Sequence, residues 1–158
     1  GAGAAVLQPS GDNARGIIAT KLYSDGTKYD YILSHDGPQN GYRGYTTMMG
    51  RAVFKYAIEY MTISINEILE ENNMTMRDID WIVPHQANKR ILESLCKLKD
   101  FPMEKVVISI QEHANTSAAS IPLAMSQAIE SGQIKKGDTL LLTALGAGLS
   151  WGSAIIKL

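Results

Sequence analysis

His85 and Asn115 are the side chains of this sequence best suited to act on a substrate near neutral pH. A neutral imidazole donates from one ring nitrogen and accepts at the other, and a carboxamide donates through its NH2 group. Held together, the two would offer neutral donors to an oxygen gaining negative charge, as on an enolate, with roughly 3 kcal/mol of stabilisation per donor. Each also has a reading without chemistry. A histidine can simply finish a strand, and an asparagine can cap a helix.

Gly146-Ala147-Gly148 is the third feature. Its glycines permit positive φ and close approach, so backbone N–H groups of Ala147 and Gly148 can face an oxyanion, or the segment can be an ordinary β-turn. Arg90 and Lys97 share one helix face, where they can meet an acidic partner, a phosphate or only solvent. Cys96 falls near the C-terminal end of its helix, where the dipole disfavours a thiolate, and reads as packing. His113 has no evident chemical role. No histidines and carboxylates stand at metal-ligand spacing, and Gly1 to Gly3 does not continue into a dinucleotide fingerprint, so neither a metal nor a cofactor is expected.

These residues need elements to position them. Ala4 to Leu7 and Gly16 to Tyr23 read as strands joined by a turn over 9–13, and Ser24 to Thr46 as a long loop without a period. Val53, Ala57, Met61, Ile65 and Ile68 recur at helical spacing and predict a helix from Gly50 to Glu71. Thr75 with Asp78 resembles a capping box. Trp81 to Val83 predicts a strand that Pro84 keeps extended, and Ala87 to Lys99 a helix burying Ile91, Leu92, Leu95 and Leu98. Val106 to Ile110 reads as a buried strand. Thr116 or Ser117 is suited to cap a helix that Gly132 ends, and strands are expected over Thr139 to Leu145 and Ser150 to Ile156. The order β-β-α-β-α-β-α-β-β implies an α/β domain with a largely parallel or mixed sheet covered by helices. In such sheets functional groups gather beyond the carboxyl ends of strands. His85, Asn115 and Gly146 to Gly148 each follow a predicted strand.

Composition narrows the function classes. The 158 residues, 45% of them hydrophobic, can bury one core. The 15 basic and 16 acidic residues nearly cancel, which gives no global field for nucleic acid or an anionic membrane surface. No apolar run is long enough to span a bilayer. A single cysteine forms no internal disulfide, so a cytoplasmic setting is expected. The abrupt start at Gly1 reads as a chain cut inside an element.

Three strings carry a family resemblance: Pro84-His85-Gln86-Ala87-Asn88, Asn115 through Pro122, and Gly146 through Ser153. With them the chain resembles, over its whole length, the C-terminal half of β-ketoacyl-acyl-carrier-protein synthase III, a condensing enzyme of the thiolase superfamily. The resemblance implies one half of a thiolase-like fold. A cysteine in the absent N-terminal half would take an acyl group from acyl-CoA. His85 and Asn115 would bind the thioester oxygen of the malonyl carrier protein and promote its decarboxylation. Backbone N–H groups of Ala147 and Gly148 would complete an oxyanion hole. Met48, Gly50 and Phe54 match the acyl and pantetheine channel, Asn88 a pantetheine contact, and Arg90 a residue that docks the acyl carrier protein.

The same resemblance implies a homodimer for the full-length enzyme, and a role in starting fatty acid synthesis. The sequence departs from the family pattern at Ala114 and Ala147, where glycine is usual, which puts the geometry of the hole in question. Two other readings stay open. One is a non-catalytic half that pairs with a separate cysteine-bearing chain. The other is a sister condensing enzyme of polyketide or alkylquinolone synthesis.

Overall fold

The computed structural model of the chain describes residues 1–9, 11, 15–35 and 45–158. Its strands are β1 (Gly16–Ser24), β2 (Ile32–His35), β3 (Tyr45–Met48), β4 (Trp81–Pro84), β5 (Thr139–Gly146) and β6 (Ser150–Lys157). Its helices are α1 (Gly50–Glu71), α2 (Lys89–Lys99), the short α3 (Ile110–His113) and α4 (Ser120–Glu130). The main sheet runs β1-β6-β5-β4, and β2 pairs with β3 in a separate ribbon. β4 lies parallel to β5, and the other two pairings of the main sheet are antiparallel. The architecture is α/β with a mixed sheet covered by helices, as the element pattern predicts. No described helix is long and apolar enough to cross a membrane.

α1 and α2 cover one face of the sheet. Val53, Ala57, Met61, Ile65 and Ile68 point inward from α1 and meet Ile82, Leu141 and Ile155 of the strands. The opposite face carries a second cluster, in which Ala124 and Ala128 of α4 pack on Val83, Val107 and Leu140. α4 spans only part of that face. Beside it lies an open apolar groove of about 760 Å³ lined by Leu22, Ile121, Leu142, Ala144 and Ala154 among others. Leu22 within it is 86% exposed.

Several sequence expectations are met closely. α1 has the predicted bounds, Thr75 and Asp78 form a reciprocal capping box, and Gly132 ends α4 with φ of +74°. Others are corrected. Ala4 to Leu7 is not a strand; it has no partner strand among the described residues. Gly1 and Gly3, just before this segment, lie against Thr116 and Pro122, so close that a Cβ on either would stand 2.9 or 2.3 Å from them. The turn read over 9–13 falls largely outside the described residues. The loop read from Ser24 to Thr46 contains a 3-10 turn at Gly26–Tyr31 and the β2–β3 ribbon. Leu98 is 64% exposed, and Cys96 takes the buried place instead, because the arc of α2 that faces α1 centres nearer Leu92 and Leu95.

The strand read from Val106 to Ile110 is the instructive correction. Only one bridge forms, Ile82 with Val106, with the Val107 N–H donating to Ile82 O at 2.9 Å. Beyond it a side chain takes over the pairing. Gln86, 1% exposed, donates from Nε2 to Pro84 O at 2.8 Å and Val107 O at 3.1 Å, and its Oε1 accepts the Ser109 N–H at 2.9 Å. A carboxamide can stand in for a peptide unit of a ladder in this way, since it offers a carbonyl acceptor and N–H donors, two where a peptide has one. The chain then turns into α3.

Gln86→Leu keeps the volume and removes all three bonds, leaving buried backbone groups unmatched. We expect it to lower unfolding free energy by about 3 kcal/mol, at roughly 1–3 kcal/mol per orphaned group less partial relaxation. Guanidinium unfolding checks this; a loss under about 1 kcal/mol would mean the clip is dispensable.

Candidate active site

β4 ends at Pro84, opposite Thr143 of β5, and the next residue is His85. Its backbone N–H still donates to Thr143 O at 2.8 Å, so the sheet fixes the residue even though its side chain has left the ladder. Thr143 is itself held by a buried hydroxyl chain. Ser64 of α1 lies 2.7 Å from Ser153 of β6, which donates to Thr143 Oγ1 at 3.1 Å, and Thr143 donates onward to Gly152 O at 3.3 Å. The imidazole Nδ1 lies 2.6 Å from Ser120 Oγ, at the start of α4. Partial burial disfavours the charged ring and holds its pKa below the ordinary histidine value of 6.5. That shift favours the neutral imidazole near pH 7.

Asn115 follows α3 and is exposed. Its Oδ1 accepts the Ser117 N–H at 3.0 Å, an Asx turn, which orients the amide and leaves Nδ2 as the free donor. The capping alternative for Asn115 does not hold. α4 begins at Ser120, and neither Thr116 nor Ser117 caps it through a side chain. Before Asn115 the backbone makes an unusual bend: Ala114 has φ of +56° and ψ of −161°. That region is nearly confined to glycine.

Met48, Gly50, Phe54, Asn88, Arg90 and Asn115, all named from sequence, line one cleft of about 550 Å³ together with Arg51, Val53, Ala87 and Ile91. Asn88 caps α2, its Oδ1 accepting the Arg90 N–H at 2.9 Å, so its NH2 group stays available. The Arg90 guanidinium sits 5.8 Å from the centre of the Phe54 ring. His85 is not among the lining residues, but its carbonyl accepts the N–H of Ala87, which is.

Ala147 and Gly148 lie in the β5–β6 turn, one strand over from His85, and outside the lining of this cleft. Ala147 keeps an ordinary negative φ, so alanine fits there without strain. Gly148 has φ of +133°, and a Cβ would come within 2.8 Å of the Ser150 N atom. The turn is tethered from outside, since the Asp25 N–H donates to Leu149 O at 2.8 Å while Asp25 caps the 3-10 turn after β1.

Cys96 is 5% exposed, and burial pushes its thiol up to about 11. Packing is its role, as its helix position suggests. Ser120 and Gln86 are the two positioning residues that the sequence reading passes over. Both sit within the strings quoted above, but their contacts join elements far apart in the chain, which residue order alone does not show.

Comparison with known proteins shows the family. Residues 69–158 match the family model described as 3-oxoacyl-[acyl-carrier-protein (ACP)] synthase III C terminal. The chain is 49% identical to the β-ketoacyl-[acyl-carrier-protein] synthase III of Granulibacter bethesdensis over 163 aligned positions, covering 100% of this chain and 50% of that protein. It is likewise 49% identical to the enzyme of the same name from Wolbachia pipientis, covering 99% and 49%. The crystal structure of 3-oxoacyl-[acyl-carrier-protein] synthase III from Aquifex aeolicus superposes with a TM-score of 0.87 at 38% identity, covering 95% of this chain and 46% of that one. The chain thus spans about half the length of the relatives it matches.

Two outcomes follow from the geometry. Ala114→Gly should raise stability by about 1 kcal/mol, because relief of roughly 1–3 kcal/mol of strain exceeds the ~0.4–1 kcal/mol that glycine's unfolded-state freedom costs. A lower melting temperature in calorimetry would show that alanine is at ease there. His85, with its folded pKa below 6.5, should make stability fall as pH drops through 6.5. The unfolded chain then takes up a proton that the folded one resists, a slope of up to about 1.4 kcal/mol per pH unit that ends at the folded pKa. Urea titrations between neutral and mildly acidic pH should show this component in the wild type and not in His85→Gln.

Proposed function

The chain belongs to the 3-oxoacyl-[acyl-carrier-protein] synthase III family, and from that membership we propose that it is the C-terminal catalytic half of a decarboxylating condensing enzyme. The observation that carries this is the shared cleft. Asn115 lines the same cavity as Met48, Gly50, Phe54, Asn88 and Arg90, and so does Ala87, whose N–H donates to His85 O. A cleft of about 550 Å³ suits an extended pantetheine arm. The NH2 groups of Asn88 and Asn115 suit its amides and thioester.

In this reading a malonyl thioester on the acyl carrier protein enters with its carbonyl oxygen between His85 Nε2 and Asn115 Nδ2. Loss of CO2 moves the electron pair of the breaking C–C bond into an enolate, whose oxygen the two neutral donors stabilise. The enolate carbon then attacks an acyl group that came from acyl-CoA and rests on a cysteine of the N-terminal half. The new C–C bond forms as the cysteine thiolate leaves, and the product is a 3-oxoacyl carrier protein. The N–H groups of Ala147 and Gly148 face the oxyanion of that second step. Arg90, exposed beside the cleft, meets the acidic carrier protein. Fatty acid initiation in the cytoplasm, by a full-length homodimer, is the setting that the family supports.

The open groove beside α4 fits the other half of the enzyme. Its Leu22 and the exposed Ile17 and Ile18 are apolar surface that a lone domain gains nothing by showing to water. Cys96 does not substitute for the missing nucleophile, being buried and protonated.

This chain alone, given acetyl-CoA and malonyl carrier protein, should yield no 3-oxoacyl product by mass spectrometry; clear turnover sinks the division of labour. In a longer protein containing this chain and the nucleophile-bearing half, His85→Ala and Asn115→Ala should each slow malonyl decarboxylation by about 10²–10³-fold. Unchanged rates in both would remove the two residues from the chemistry.

A further inference from the structure

His85 has two neutral tautomers, and only one presents a donor at Nε2. The contacts of Ser120 decide between them. Ser120 is 2% exposed, and among the described residues its Oγ has two hydrogen-bond partners: His85 Nδ1 at 2.6 Å and the Gln86 N–H at 3.2 Å. A backbone N–H only donates, so one lone pair of Oγ is already committed. The hydroxyl hydrogen then has one acceptor within reach, the ring nitrogen. If Nδ1 carried the proton instead, Oγ would receive two donors and its own hydrogen would be buried without a partner, an arrangement that folded proteins avoid.

We propose that Ser120 is a positioning residue that fixes His85 as the Nε2–H tautomer, so that the ring presents a donor on its free side. Its importance for catalysis rests on the function proposed above; the tautomer itself follows from the contacts. Gln86 supports the arrangement from behind. Its backbone N–H occupies Ser120 Oγ while its side chain stitches β4 to the segment that leads to Asn115. The two donors proposed to face the thioester oxygen are each set by a local bond. Asn115 is oriented by the Ser117 N–H, and His85 by the Ser120 hydroxyl.

The test is long-range 1H–15N correlation NMR of the 15N-labelled chain near neutral pH, which distinguishes a protonated Nε2 from a protonated Nδ1. With three histidines in the sequence, the signal lost in His85→Gln assigns the ring. Wild type should show Nε2–H alone. Ser120→Ala should show a mixture of tautomers, and Ser120→Thr, which keeps the hydroxyl, should restore Nε2–H. A wild-type ring protonated at Nδ1 overturns the proposal whether or not the variants fold, and so does a folded Ser120→Ala variant with an unchanged tautomer. In the longer, nucleophile-bearing protein, Ser120→Ala should lower kcat for malonyl decarboxylation by about ten- to a hundredfold with KM little changed, short of the 10²–10³ that outright loss of a donor brings. Full kcat in that variant also overturns it. An Nε2–H ring that Ser120→Ala disturbs, in a longer protein with no decarboxylase activity, would instead sink the functional reading and leave Ser120's role standing.

Discussion

Buried backbone donors and acceptors need partners, and at the carboxyl end of β4 the supply of strands runs out before that need does. Gln86 resolves the mismatch. By pairing with Pro84, Val107 and Ser109 through one side chain, it lets the sheet stop after a single bridge while the crossing segment stays attached. Had the ladder continued to Ile110, the chain would have been held in the sheet plane. Instead it is released into α3 and the bend at Ala114, which carries Asn115 to the cleft. A buried amide next to a histidine thus sets where the sheet ends and where Asn115 stands.

The remaining supports work on the same edge from other directions. The Ser64–Ser153–Thr143 hydroxyl chain ties α1 to the middle of the sheet and ends beside the carbonyl that holds the His85 backbone. Stacked rings of Tyr60, Trp151 and Tyr23 lock α1 onto β6 and β1 just below the β5–β6 turn. Asp25 clasps that turn through Leu149. The hydroxyl chain uses polar groups that are matched in a buried setting, where such bonds are strong and their loss expensive. These supports gather around the sheet edge that carries His85, and the open apolar groove lies on the other face of β5 and β6.

Much of this was legible from residue order because helical period and turn chemistry are local. The α1 stripe, the Thr75–Asp78 box and the Gly132 stop depend on neighbours within a few positions, and all three appear where their spacing puts them. What escaped depends on partners distant in the chain. Ala4 to Leu7 has strand composition and no strand to pair with. Val106 to Ile110 has it too, but a carboxamide some twenty positions earlier interrupts its ladder. Leu98 falls outside the buried arc because a helical wheel shows the arc and not how far the neighbouring helix wraps around it. At the site, the family resemblance implied the cleft-lining set, whereas the contacts of Ser120 and Gln86 emerge only when separate elements are brought together. Ala114 illustrates both sides: its departure from glycine was visible, and only the backbone shows that the residue occupies a glycine's conformation.

Cys96 bears on chemistry done to the protein rather than by it. A thiol that is 5% exposed, with its pKa pushed up to about 11, offers almost no thiolate to an electrophile at neutral pH. The half that holds the His–Asn pair is consequently silent toward alkylating and disulfide-forming reagents while folded. In any longer assembly containing it, a thiol-directed probe would report on the other half alone, and labelling of Cys96 would be a gauge of unfolding.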